Sequence, residues 1–173
     1  MTWDWKVFLQ DDGSGRTYLQ WMFDAWGWTL SVAGASWVVA MIFGALVGTM
    51  RTLPNSPWLV RLANAWVELF RNVPLLVQIF IWYFVIPKIF PAMKDLPSFI
   101  LVVFALGFFT SSRIAEQVRA GIQALPRGQR YAGMAMGFTT AQTYRYVILP
   151  MAFRIIIPPL PSESMNLLKN SSV

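Results

Sequence analysis

Residues 25–50 carry no charge at all, and that run constrains the chain more than any other feature. Written out it is AWGWTLSVAGASWVVAMIFGALVGTM, 26 residues between Asp24 and Arg51. About 20 apolar helical residues cross a hydrocarbon core of about 30 Å. The run is therefore read as a membrane span, with its helix expected over Trp26–Met50.

The rest of the chain agrees with a lipid environment. Of 173 residues, 56% are hydrophobic, 16% aromatic and only 13% charged, against about a quarter charged in an ordinary soluble domain. The first 24 residues carry Asp4, Asp11, Asp12 and Asp24 and have no apolar centre. No cleavable signal peptide is read there, and insertion is expected to rely on the spans themselves. Cysteine and histidine are absent, which removes disulfides, thiol nucleophiles and the usual transition-metal ligands together. No metal site is expected.

The net charge of +6 is spread by segment instead of clustering on one soluble face, so it reads as topology and not as nucleic-acid binding. Cytoplasmic loops collect Lys and Arg. Arg113, Arg119, Arg127, Arg130 and Arg145 face one acid, Glu116, in the stretch they share; Arg51, Arg61 and Arg71 face Glu68 in an earlier one. Both stretches are expected in the cytoplasm. The acidic segment 1–24, with Lys6 and Arg16 as its only bases, is expected outside, along with the loop that holds Lys88 and Lys94.

Along the chain, helices alternate with polar connections. LPNSP at Leu53–Pro57 is a breaker cluster. A helix is expected over Trp58–Phe70, with Trp58 and Trp66 as anchors at the inner interface. Only 16 residues separate Arg71 from Lys88, so the second span is short and is expected to borrow the helix before it. A third span runs from about Pro97 through Phe109 and continues as helix to Ile122. Arg113, Glu116 and Arg119, at three-residue steps, fall on neighbouring parts of one face. Within the first span Ser36, Ala40, Gly44 and Gly48 recur every four residues. Such a small-sided stripe lets backbones approach closely, either inside the same bundle, the favoured reading, or across a dimer seam.

After Leu125-Pro126 the chain reads RGQRYAGMAMG, FTTAQTYRY and VILP. One short helix, a turn at Gly137 and a second short helix entering the next span are expected. Ala132, Gly133, Ala135 and Gly137 would give this pair a small-sided surface, suited to docking in another protein's groove. The plainer reading is a solvated connection.

This segment resembles the cytoplasmic coupling motif of bacterial ATP-binding-cassette importer permeases: Glu-Ala-Ala, three residues, Gly, nine residues, Ile-x-Leu-Pro. Tyr131, Ala132 and Gly133 stand at its first three positions, Gly137 at its glycine, and Val147, Ile148, Leu149 and Pro150 at its end. Tyr131 replaces the acid and Gly133 the second alanine. ELFRNVPLLVQIFIWYF (68–84), RIAEQVRAGIQALPRGQ (113–129) and NLLKNSSV (166–173) are similar to stretches of the polar amino-acid branch, and QRYAG with YRYVILPMAFRI looks most like its glutamate/aspartate members.

The resemblance implies an all-α integral membrane fold: a multi-span helical bundle of the type I ABC importer permease kind with cytoplasmic coupling helices. Segment 1–24 is then extracytoplasmic, 25–173 the permease domain, and about 126–146 the coupling loop, with Tyr131, Ala132, Gly133, Gly137, Leu149 and Pro150 carrying the contact with the ATPase. It implies a bacterial inner-membrane location, a dimer of cytoplasmic ATP-binding subunits, a second permease subunit, identical or paralogous, and a periplasmic or lipid-anchored amino-acid-binding protein. The chain has no G-x-x-x-x-G-K-[ST] phosphate loop, so ATP is expected on the partners and no cofactor here. Members have five spans, and the look-alikes of 166–173 continue through the membrane, so the chain is expected to be incomplete at its C-terminus.

Pro158, Pro159 and Pro161 break the last element, because proline lacks the N–H a helix interior needs. Broken helices at membrane depth line cavities or are buried by protein. Ser162, Glu163, Ser164, Asn166 and Lys169 follow the break. Glu163, Asn166 and Lys169, with Ser162, are the candidate substrate-path residues; an equally weighted alternative pairs Glu163 with Lys169 structurally. Two rival classes are weaker. A self-sufficient carrier is expected to show two related halves with paired broken helices, and one broken segment and no repeat are found. A membrane enzyme has only Glu68, Glu116 and Glu163 near the membrane to work with.

Overall fold

The computed structural model describes residues 5–11, 13 and 15–172; Asp4 and Asp12 lie outside them. The described residues are helical nearly throughout. In chain order the helices are α1 (Tyr18–Met50), α2 (Pro57–Asn72), α3 (Leu75–Phe80), α4 (Ile86–Ile89), α5 (Ser98–Gln123), α6 (Arg127–Ala135), α7 (Thr140–Thr143), α8 (Leu149–Ile156) and α9 (Leu160–Asn170). α1 and α5 are long and apolar enough to cross a membrane.

α1 begins eight residues before the expected Trp26. Thr17 caps it: its hydroxyl accepts from the Gln20 N–H at 3.4 Å, and the Gln20 side chain accepts from the Thr17 N–H at 3.1 Å. This reciprocal box satisfies two otherwise orphaned donors. Arg16 and Asp24, 3.2 Å apart, add an exposed pair, worth little in stability.

Because α1 is apolar on every side, hydrophobicity does not choose which face it buries. Size does. The buried residues are Ala33, Ser36, Ala40, Gly44, Val47 and Gly48, and they lie against α5. A Cβ on Gly44 would stand 2.6 Å from the Cβ of Ile114, and one on Gly48 2.6 Å from the Cβ of Val118. The exchange is reciprocal, since a Cβ on Gly107 of α5 would sit 2.7 Å from Val39. The four-residue stripe is thus the packing seam inside one bundle. The physical reason is that lipid tails are as apolar as leucine, so helices associate through close van der Waals contact and not by escape from water.

α2 and the α3–α4 element are together long and apolar enough for a span, and they meet at 103°, the geometry of a broken span or a re-entrant loop. Leu75–Ile89 alone covers about 22 Å at 1.5 Å per residue, short of the hydrocarbon core. Pro74 makes the joint, and Gln78, 4% exposed, repairs it. Its amide donates to the carbonyls of Phe70 and Val73, both at 2.8 Å, so the C-terminal oxygens that α2 loses at the bend find a donor. Trp66 packs between Phe43 (5.6 Å), Phe70 (4.5 Å) and Phe108 (4.9 Å) and donates its indole N–H to Ser111 at 3.2 Å. It is half-buried at the edge of the core, while Trp58 stays exposed.

Two π turns, Ile81–Val85 and Tyr144–Ile148, share one cause. Each ends two residues before a proline, Pro87 or Pro150. The residue preceding the proline donates five back instead of four, Ile86 to Ile81 and Leu149 to Tyr144. Proline has no N–H and its ring crowds the carbonyl four residues earlier; widening the preceding turn relieves that crowding. Pro150 therefore shapes α7–α8 without ending it.

The expected proline break is present between α8 and α9. Pro159 precedes α9 and Pro161 lies in its first turn, where a missing N–H costs nothing. α8 packs across α5, with Ile156 against Gly121. α9 then runs beside α1 to bring Ser171 to the Thr29 carbonyl at 3.5 Å.

Candidate functional site

The first site is the α6–α7 pair. α6 ends in a Schellman motif: Phe138 N–H donates to Gly133 at 3.1 Å and Gly137 N–H to Met134 at 2.9 Å. The motif needs a left-handed residue, and Gly137 has φ +78°. Thr139 caps α7 with a second reciprocal box, accepting from Gln142 N–H at 3.3 Å while the Gln142 side chain accepts from its N–H at 2.9 Å. The turn geometry is thus written in Gly137, Thr139 and Gln142.

The surface is not the expected one. Gly133 points inward, where a Cβ would meet Thr143 at 2.8 Å. Ala132, Ala135 and Gly137 are exposed, but the outward face is dominated by Tyr131 (62% exposed), Met134 and Met136 (72% exposed). Neighbouring positions on a helix point about 100° apart, so one small residue is used to close the two helices and large ones remain outside. Leu149 is half-buried against the core, and Pro150 is exposed.

The pair is tied to the bundle by Tyr144. Its buried hydroxyl donates to the Thr52 carbonyl at 2.6 Å, with the Thr52 hydroxyl at 3.3 Å. Thr52 lies two residues past the end of α1, so α6–α7 and the α1–α2 connection share one end of the bundle. Arg51, at that same end, carries a side chain only 7% exposed; it donates to Asn64 at 2.7 Å and pairs with Glu116 at 2.9 Å. Arg71 reaches the same carboxylate at 3.5 Å.

The second site is a cavity of about 670 Å³ between α2, α5 and α9, where Arg71, Arg113, Glu116 and Glu163 converge with Ser112 and Gln117. Glu163, its side chain 14% exposed, faces Arg113 at 3.8 Å. A partner for Glu163 thus exists, and it is Arg113 and not Lys169. Of the four candidate substrate-path residues, the cavity gathers Glu163 alone. Ser162 and Lys169 are exposed, Asn166 is half-buried, and none of the three lines it. The break turns α9 so that one face meets α5 while Lys169 points away. Arg71 joins this cluster from 45 residues before Glu116, a separation at which no local spacing signals a pair.

Glu116→Gln tests the cluster. It leaves the Arg51 guanidinium with Asn64 as its remaining neutral partner. Breaking a fully buried pair costs about 3–5 kcal/mol; Glu116 keeps 34% of its side chain exposed, so about 1–3 kcal/mol is expected. A thermal-shift measurement in detergent reads it as a lower Tm, and Arg71→Gln, at 64% exposure, is expected to leave Tm nearly unchanged.

Comparison with known proteins places these features in a family. The family profile described as "Binding-protein-dependent transport system inner membrane component" matches residues 22–173. The chain is 45% identical over 182 aligned residues to the glutamate/aspartate import permease protein GltJ of Escherichia coli K12, covering 99% of this chain and 74% of that one. It is 42% identical to the probable glutamine ABC transporter permease protein GlnM of Bacillus subtilis over 134 residues, 78% of this chain and 60% of the relative. Among solved structures, one described as an amino acid ABC transporter with histidines superposes with a TM-score of 0.73 at 30% identity, over 99% of this chain and 75% of that one. The MetNI methionine ABC transporter in an inward-facing form shares the fold at a TM-score of 0.71 and 22% identity, over 89% of this chain and 73% of that one. With its two long apolar helices, its proline-broken helix and its paired short helices, the chain belongs to the inner-membrane components of binding-protein-dependent transport systems, as an integral membrane permease subunit.

Proposed function

We propose that this permease subunit forms half of the path of an ATP-driven importer of acidic amino acids, glutamate and aspartate foremost. The α6–Gly137–α7 pair is the observation that carries the reading: a rigid, doubly capped projection with an exposed Tyr131–Met134–Met136 face, hydrogen-bonded through Tyr144 to the α1–α2 connection. Such a projection suits insertion into a cytoplasmic ATPase subunit. Tyr131 and Ala132 contact that subunit, Gly133 and Gly137 set the geometry, and Leu149 and Pro150 carry the motion into α8. ATP is bound and hydrolysed by the partners. They close a pathway between this chain and a second permease, and a binding protein delivers the amino acid from outside. Nucleotide and loaded binding protein shift the transporter between its two openings by binding one state better than the other. The relative named for glutamate/aspartate import supports the substrate class; in the cavity, Arg113 and Arg71 offer guanidiniums to carboxylates, with Glu163 as the further polar group from α9.

Proteoliposomes containing both permeases, the ATPase and the binding protein are expected to accumulate labelled glutamate only with ATP on the ATPase side, with aspartate competing and glutamine not. Accumulation without nucleotide would favour a self-sufficient carrier. Orientation is read independently. The chain has no cysteine, so an impermeant maleimide applied to intact cells is expected to label Lys94→Cys and spare Gln142→Cys; the opposite pattern inverts the topology.

A further inference from the structure

Where α1 ends and α6 begins, the fold forms a second, open cavity of about 510 Å³. Arg51, Arg127 and Arg130 line it, and no carboxylate does. Arg51 shares its charge with Glu116. Arg127 and Arg130 have no carboxylate within 4.0 Å among the described residues. The same lining holds an aliphatic wall, with Leu53, Val60 and Ile148 among its residues. The cavity therefore has two chemistries, and an occupant has to match both.

An inorganic anion satisfies the guanidiniums and leaves the aliphatic wall against water. An amphiphile satisfies both. The position agrees, because the cavity lies just past Met50, the last residue of α1, and beside Gln123, the last of α5, at the ends of both spanning helices. Basic pockets between membrane helices at that level hold acidic headgroups, and the guanidinium fork matches phosphate oxygens in pairs. We propose that this cavity binds the phosphodiester headgroup of an anionic phospholipid, with Arg127 and Arg130 on the phosphate and the aliphatic wall against the glycerol and first acyl carbons. Since Arg127 and Arg130 belong to α6 while Arg51 and Leu53 flank the end of α1, the lipid staples α6 to the bundle beside the Tyr144–Thr52 hydrogen bond. Its placement in the inner leaflet rests on the orientation proposed above; the binding itself does not.

Native mass spectrometry of the whole transporter, released from nanodiscs of phosphatidylglycerol mixed with phosphatidylcholine of the same acyl chains, tests the site. The wild type is expected to retain phosphatidylglycerol in preference to phosphatidylcholine. The double variant Arg127→Gln/Arg130→Gln is expected to hold it about 30-fold more weakly, while Arg127→Lys/Arg130→Lys keeps most of the preference. Millimolar inorganic phosphate is expected not to displace the lipid. No preference in the wild type overturns the proposal whatever the variants do. Displacement by phosphate overturns it in favour of a free-anion site. A double variant that sheds the ATPase while keeping its phosphatidylglycerol overturns it in favour of a protein contact. The readout is mass and not transport, so an error in the substrate assignment leaves it unmoved.

Discussion

Gly44→Leu is expected to leave no folded permease. The first atom of any side chain at position 44 meets the Cβ of Ile114 at 2.6 Å and the Ser111 carbonyl at 3.1 Å. Neither gives way easily: a Cβ is fixed by its own backbone and the carbonyl is part of α5. No rotamer relieves an overlap that begins at Cβ, so α1 and α5 must separate, and the neighbouring contacts of Gly48 with Val118 and of Gly107 with Val39 are loosened with them. Overpacking usually costs about 1–3 kcal/mol; here the loss is expected at or above the top of that range, since close backbone approach is the main source of association in lipid. Size-exclusion chromatography in detergent reads it as loss of the monodisperse peak. Gly44→Ala is expected to fall between. Gly34→Leu, on the same helix with nothing within 4 Å, is the control. A normal peak for Gly44→Leu sinks the α1–α5 seam as described.

Gly137→Trp is expected to insert normally and to lose the ATPase. The residue holds φ +78°, where an L side chain costs about 1–2 kcal/mol, and the Schellman bonds to Gly133 and Met134 depend on it. Relaxing that strain swings α6 relative to α7 and moves Tyr131 and Met134 off the docking geometry. Co-purification of the ATPase subunit is expected to fall at least about tenfold, since each 1.4 kcal/mol is a factor of ten, and ATP-driven uptake to fall with it. Gly137→Asn, which tolerates the left-handed region, is expected to recover most of both. Stoichiometric ATPase on the Trp variant would show that the α6–α7 pair is not the coupling element.

How far the fold could be read in advance differs from place to place. The α1 span, the turn at Gly137 and the break at Pro158–Pro159 are local properties: an uncharged run, a glycine where the backbone turns left-handed, prolines where N–H groups are missing. Each acts within a few residues, so each is visible in order along the chain. The early start of α1 was also local, in Thr17 and Gln20, but a polar cap beyond a run chosen for its lack of charge is easily passed over.

Position-by-position reading failed where two distant segments decide together. Trp66 has the character of an interface anchor and stays half-buried, but its ring partners Phe43 and Phe108 come from other helices. Gly133 looked like part of an outward small face and instead closes α6 on Thr143. Lys169, six residues on, is the local candidate partner for Glu163 in one of its two sequence readings, while the fold gives it Arg113 from another helix. Gln78 shows the same rule from the other side: its amide mends the α2–α3 bend, and nothing in VPLLVQIF says that the bend approaches a right angle.

The amino-acid order alone determined that this chain enters lipid, where its backbone can and cannot stay helical, and which glycines and prolines punctuate it, because hydrocarbon thickness and backbone sterics act locally. Only the tertiary structure decided which face of a uniformly apolar helix is buried, which charges share the Glu116 and Glu163 carboxylates, and which arginines from separate helices come to line one cavity. In lipid, contact and Coulomb attraction choose partners, and both depend on distances between segments far apart in the chain.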